Sequence, residues 1–213
     1  MPLLDPFCGS GTIAIEAASI ACGLVPGISR SFGFEKLLNF DRELWTELRE
    51  DAKSEVNLHR EVSITASDIS SIVVRKAEAN ALRAGLGGLL ESGNLKFSVC
   101  DARNVLPPTE TPGIIVANPP YGEQSTPRSA TVGSMMRHVA DNLKHNFAGW
   151  TAWMLTSDRH LPGEMHLKEG RKTVLFNGPL ECRFFKFDLV AGSNRRVKNR
   201  DAASDSTPSD AES

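Results

Sequence analysis

Short apolar runs alternating with helical stretches predict an α/β chain, a mostly parallel twisted sheet with an antiparallel edge strand and helices on both faces. Three observations carry that prediction. Strand-like runs at Leu3-Leu4-Asp5, Val62–Ala66, Leu95–Cys100, Gly113–Ala117 and Trp150–Thr156 are separated by segments of helical spacing. The last two runs, Lys172–Phe176 and Arg183–Val190, lie close together and read as an antiparallel pair. Four polar residues, Asp5, Asp68, Asp101 and Asn118, stand at the ends of the first four runs, where ligands of such folds bind.

The connecting elements follow from local chemistry. After the turn Pro6–Gly11, an apolar helix is expected over Thr12–Cys22, ending near Gly23 and Pro26. Residues 24–62 form a more polar insertion with a helix over Asp41–Leu58, whose Leu44, Trp45, Leu48, Ala52 and Val56 recur at helical spacing. Ser70 or Ser71 caps the next helix, which closes at Gly85 and the Gly87-Gly88 pair. A further helix spans Thr131–Phe147.

Composition narrows the class. A chain of 213 residues, 40% hydrophobic and 23% charged, suits one globular domain. No apolar run approaches a membrane span and no signal peptide is visible, so no membrane role is expected. Cys8, Cys22, Cys100 and Cys182 are scattered without a CxxC pair, which predicts no metal site and reduced thiols in a cytoplasm. The net charge of −2 excludes a global basic field, so any nucleic acid must be held by a local patch or by a separate module or chain. From about Gly192 the chain changes character and turns to basic residues followed by a Ser/Asp/Ala/Pro stretch. Arg195, Arg196, Lys198 and Arg200 open a tail over 192–213 that is expected to be disordered, leaving residues 1–191 as the domain.

Two loops carry chemistry. Asp5-Pro6-Phe7-Cys8-Gly9-Ser10-Gly11-Thr12 links a strand to a helix. Its glycines let a ligand approach the backbone, and the helix start offers N–H groups to an anionic end. The same stretch fits the looser dinucleotide fingerprint GxGxxA through Ala14, which keeps an NAD-dependent oxidoreductase as a rival. That rival needs an acid about 20 residues on, and the next strand-end acid, Asp68, lies far beyond.

Asn118-Pro119-Pro120-Tyr121 is the second loop and the more specific one. Two prolines stiffen it and hold Asn118 extended. The Asn118 side-chain carbonyl and the Pro119 main-chain carbonyl can both accept from one amino group. A base amino nitrogen is a poor nucleophile, because its lone pair is delocalised into the ring. Two acceptors orient it and favour its pyramidal form; alignment of this kind contributes on the order of 7–11 kcal/mol. Tyr121, the single tyrosine, can stack on a base flipped from its helix. In a methyltransferase, Asp5 would attract the ammonium of S-adenosyl-L-methionine, Asp68 its ribose hydroxyls and Asp101 its adenine amino group. Arg128, Arg137, Lys144, Arg159 and His160 are candidates for an RNA groove. Glu16 is assigned a structural role, and Cys8 no nucleophilic one.

Over roughly residues 3–190 the chain resembles the THUMP-associated ribosomal RNA guanine-N2 methyltransferases, and more narrowly the first-half domain of the bifunctional bacterial large-subunit enzymes. The resemblance rests on the 4–12 stretch with Ile15-Glu16-Ala17-Ala18, on Pro26-Gly27, Phe32-Gly33-Phe34 and Phe40-Asp41 with Trp45. It continues through Ser67-Asp68, Asn80-Ala81, Ala84-Gly85, Asn118-Pro119-Pro120-Tyr121-Gly122-Glu123 and Asn177-Gly178-Pro179-Leu180. It implies a Rossmann-like class I fold and S-adenosyl-L-methionine as cofactor. The implied target is the 2-amino group of a 23S rRNA guanine. Asn118, Pro119 and Tyr121 are then catalytic; Asp5, Phe7, Gly9, Gly11, Thr12, Asp68, Asp101 and Asn118 bind the cofactor. The family's THUMP module, the helix before its first strand and its second catalytic half are expected to be missing here. An adenine-N6 methyltransferase shares the Asn-Pro-Pro-Tyr loop, and an inactive RNA-binding remnant is the non-enzymatic alternative; the 24–62 insertion and the Asn-Gly-Pro-Leu segment favour guanine.

Overall fold

The computed structural model describes residues 1–28, 30–120 and 129–191, the side chains of 129–131 excepted. Seven strands form one sheet in the order β3-β2-β1-β4-β5-β7-β6. These are β1 (Leu3–Asp5), β2 (Ile64–Asp68), β3 (Leu95–Val99), β4 (Ile114–Ala117), β5 (Thr151–Thr156), β6 (Arg171–Asn177) and β7 (Leu180–Asp188). The first five run parallel, while β7 pairs antiparallel with both β5 and β6. The helices are α1 (Thr12–Cys22), α2 (Arg42–Ser54), α3 (Ser71–Arg83), α4 (Gly87–Glu91), α5 (Ser129–Asn146) and α6 (Leu161–Met165).

Side chains alternate across a strand, so the sheet feeds two cores. On one face Leu4, Ile115, Ala117, Met154 and Phe185 meet Met136, Val139, Leu143 and Phe147 of the α5 side. On the other, Ile64, Ala66 and Leu95 meet Ala14, Ala18 and Cys22 of α1 and Ala77 and Ala81 of α3. The i, i+4 spacing of small residues lets both helices sit close to the strands.

The expected strand and helix starts hold to within a residue or two for most elements, and the differences have physical causes. α2 begins as expected, with Asp41 Oδ1 accepting from Leu44 N–H at 2.9 Å, but stops at Ser54 rather than Leu58. Beyond it the chain is drawn back to the end of α1, where Asn57 N–H donates to Cys22 O (2.8 Å) and the Arg60 guanidinium to Ala21 O (2.9 Å). Ser70 occupies the cap position of α3, yet its hydroxyl does not cap it; Asp68 Oδ1 instead accepts from Ser70 N–H at 3.0 Å. Gly87-Gly88, expected to close that helix, opens α4, because burying Leu86 and Leu89 outweighs the roughly 1 kcal/mol helix cost of a glycine. α6 carries no periodic signal at five residues, and burial of Leu161, Pro162 and Met165 forms it. β7 starts at Leu180, three residues early, since the Gly178-Pro179 turn lets Asn177 pair with Leu180 at once. The tail expected to be disordered, 192–213, lies outside the described residues.

Phe147 is fully buried and meets Trp150 edge-on, with ring centroids 5.4 Å apart. Phe147→Ala should cost about 3–5 kcal/mol in urea unfolding, whereas Leu48→Ala on exposed α2 should cost less than about 1 kcal/mol.

Candidate active site

Register brings the strand ends together. β1 lies between β2 and β4, with Asp5 opposite Ala66 and Leu4 opposite Ile115. Asp68, opposite Val99, therefore stands two residues beyond Asp5, and Asp101 two residues beyond that pairing. Asn118 follows the last residue of β4 directly. Along the carboxyl edge the order is Asp101, Asp68, Asp5, Asn118, so the glycine-rich turn and the Asn-Pro-Pro loop leave adjacent parallel strands.

The turn is held from below by β2. Cys8 N–H donates to Ser67 O (2.9 Å) and Gly9 N–H to Asp68 Oδ2 (3.2 Å). Gly11 N–H closes the turn on Cys8 O at 2.8 Å. Gly9 and Gly11 have φ of 52° and 89°, a region costly for other residues. A Cβ at Gly11 would sit 3.0 Å from Ala77 Cβ and 3.2 Å from Ile15 Cδ1; one at Gly9 would meet open space. Among the described residues no side chain caps α1 and no acidic residue occupies its first turn, so its N–H groups and positive dipole end face the turn. Asn80 braces the turn from α3, its Nδ2 donating to Ser10 O at 2.8 Å. Asn80 stood in the sequence only as part of a resemblance; its reach across 70 residues has no local signal.

Asp5 is fully buried. Its Oδ1 accepts from Phe7 N–H at 3.1 Å, while Oδ2 has no partner among the described residues. Burial pushes its carboxyl up to about 7; the Phe7 amide opposes this and the Asp68 charge adds to it. The same burial, then Asp5 and Asp68, pushes the Cys8 thiol up to about 12. Cys8 is thus a buried thiol and not a nucleophile.

Asp101 is gripped by Arg103, whose Nε lies 3.0 Å from each carboxylate oxygen and whose Nη2 lies 2.5 Å from Oδ2. That pairing holds the Asp101 carboxyl below its ordinary value. Sequence reading missed Arg103, although an arginine two residues after a strand-end acid is a visible signal. On the fourth strand end Pro119 is buried, while Asn118 and Pro120 are exposed, so the loop is anchored at its centre. Phe7 is half-buried against the α5-side core and Thr12 is exposed. Tyr121 and Arg128 lie outside the described residues. Of the candidate RNA groove, Arg137, Arg159 and His160 share a cavity of about 460 Å³ with Glu164 and Glu169, and Arg159 pairs with Glu181 at 2.7 Å. Lys144 is instead spent on Asp141 and Met165 O. Glu16 is exposed on α1. Among the described residues no cluster suits a metal ion, and no helix is long and apolar enough to cross a membrane.

A 3-2-1-4-5-7-6 sheet with an antiparallel seventh strand and a glycine-rich turn after its first strand is the class I methyltransferase fold. It differs from the 3-2-1-4-5-6 order of dinucleotide-binding folds, which removes the NAD reading. The chain belongs to the RMKL-like methyltransferase domain family, UPF0020, whose model matches residues 1–186. It is 41% identical over 201 residues to the ribosomal RNA large subunit methyltransferase K/L of Shewanella baltica (strain OS155), covering 91% of this chain and 27% of that protein. The chain thus spans about a quarter of the length of the curated relatives it matches. Among solved structures, SMU.472 in complex with SAH superposes with a TM-score of 0.77 at 26% identity, covering 92% of this chain and 49% of that one. A predicted N6-adenine-specific DNA methylase from Listeria monocytogenes gives 0.76 at 28% identity, covering 88% and 46%.

Two measurements check this geometry. Gly11→Ala should destabilise the fold by about 1–3 kcal/mol through crowding and φ strain, and Gly9→Ala by about 1 kcal/mol through φ alone. Because the folded Asp5 carboxyl titrates near 7 rather than 3.8, the native state binds more protons than the unfolded state between those values. Stability should therefore fall as pH rises through that window, by on the order of 4 kcal/mol, and Asp5→Asn should flatten the slope.

Proposed function

We propose that residues 1–191 are an S-adenosyl-L-methionine-dependent methyltransferase domain that methylates the exocyclic N2 amino group of a guanine in 23S rRNA. The observation that carries this reading is the adjacency of the Asp5–Gly11 turn and the Asn118-Pro119-Pro120 loop on neighbouring strand ends. One loop suits a zwitterionic cofactor end, the other a base amino group.

The residues fit the cofactor on this structure's own terms. The unpartnered, buried Asp5 Oδ2 is a place for a donor cation, and the open space above Gly9 is where a Cβ would intrude. The uncapped start of α1, with Gly9, Gly11 and Thr12, is suited to a carboxylate. Asp68 would receive the ribose hydroxyls, Asp101 the adenine amino group, and Phe7 would pack beside them. When bound, the cofactor supplies a sulfonium methyl group. The chain's own work is alignment: Asn118 and the Pro119 carbonyl hold the amino nitrogen, and Tyr121 stacks on its base. The nitrogen becomes acidic as it gains the methyl, so its proton can leave without a strong general base.

Ribosomal RNA as substrate follows the K/L relatives' name. With a net charge of −2, RNA affinity is assigned to a separate RNA-binding module or chain, aided by the basic part of the tail, Arg195, Arg196, Lys198 and Arg200, and by Arg137 and His160. The site of action is the cytoplasm. Adenine N6 is the second reading, favoured by the Listeria neighbour. Tritiated-methyl transfer to ribosomal RNA, with mass spectrometry of the nucleoside, decides between them: N2-methylguanosine is expected, and N6-methyladenosine would overturn the guanine assignment. No transfer in the presence of a supplied RNA-binding module would leave a binding remnant.

Asn118→Ala should abolish methyl transfer while cofactor affinity, read by titration calorimetry, stays largely intact. S-adenosylhomocysteine should bind more weakly as pH drops below about 7 and should release a proton on binding there, because a cation beside Asp5 requires its carboxylate.

A further inference from the structure

The insertion between α1 and β2 presents an apolar face that the described chain leaves open. α2 buries no residue, yet Leu44, Trp45 and Leu48 lie along one side of it and line, with Phe34, Leu37 and Phe40, a cavity of about 290 Å³. Leu37, Leu44 and Leu48 are 59%, 51% and 52% exposed. Exposed apolar side chains gathered on one face and rimmed by polar residues are the composition of an interaction site. The face is preorganised rather than collapsed. Trp45 stands edge-on to Phe34 and Phe32 at 5.0 and 5.8 Å, and Arg49 fixes its back by donating to Ile28 O at 2.5 Å.

Charge at the borders selects the occupant. Glu47 and Asp51 follow Leu44 and Leu48 by three residues and so flank their outer edge, with Asp41 at the mouth of the cavity. No ion pair among the described residues neutralises Glu47 or Asp51. The basic side, Arg42 and Arg49, lies on the opposite border, where Arg49 is committed to Ile28 O and to the Trp45 ring. An apolar strip edged by free carboxylates repels phosphates and attracts ammonium and guanidinium groups. We infer that this face docks an amphipathic helix of a protein partner, its apolar stripe bordered by Lys or Arg. The inference stands apart from the methyl-transfer reading.

The test uses the full chain and two labelled helical peptides of about five turns. Both carry Leu at i, i+3, i+4 and i+7; one has Lys on the borders and its twin has Glu. Fluorescence anisotropy should show the Lys peptide binding at least about tenfold more tightly, with the gap shrinking in high salt. Glu47→Lys with Asp51→Lys should invert the preference. Leu44→Ser with Leu48→Ser, at exposed positions, should abolish binding of both while leaving the thermal melt unchanged. Equal binding of the twins, no binding of the Lys peptide, or binding that survives the serine pair would overturn the inference. So would a wild-type dimer that the serine pair dissociates, which would give the face to a second copy, or competition by single-stranded RNA.

Discussion

A strand of three residues, β1, pairs in parallel with β2 on one side and β4 on the other, and the placement of every proposed site residue depends on that double pairing. Leu3 packs toward the α1 and α3 core and Leu4 into the α5 core, so a slip of one residue would turn both leucines the wrong way. The hydrophobic demand of two faces therefore fixes where Asp5 falls. With Asp5 fixed, the turn that follows emerges between the ends of β2 and β4 and nowhere else. The site's adjacency is a by-product of core packing.

The three strand-end carboxylates are in unlike states. Asp68 carries a structural load, accepting from Gly9 N–H on one oxygen and Ser70 N–H on the other, and each oxygen keeps a further acceptor site. Asp101 is held in a guanidinium fork, exposed enough that water shares the load. Asp5 alone is dry and half-satisfied, and a buried carboxylate without full hydrogen bonding is costly. A cationic ligand arriving at Oδ2 would relieve that cost. The protein is thus less stable empty than its sheet and cores would allow, a common trait of sites built for a ligand.

Much of this was legible beforehand. The strands, α1 and the strand-end polar residues follow from apolar runs punctuated by Gly, Pro and acids, because those signals are local. What escaped is what depends on distant partners. The end of α2 is set by Cys22 O, 35 positions before Asn57. α4 forms across two glycines because Leu86 and Leu89 find a core. Asn80 reaches Ser10 from another helix. The helical spacing of Leu44, Trp45 and Leu48 correctly gave a helix but left its exposure open, since periodicity reports a face without saying whether this chain covers it.

α1 joins the glycine turn to the insertion. Its first residue leaves the glycine turn, and its last turn, through Ala21 O and Cys22 O, ties down the return of the insertion. Eleven helical residues make a strut of about 16 Å, too stiff to absorb a displacement at one end without passing it to the other. A load applied to the outer lobe would reach the backbone amides at the mouth of the cleft as a rigid shift. The alanine seam that seats α1 on the sheet is the bearing along which it would slide.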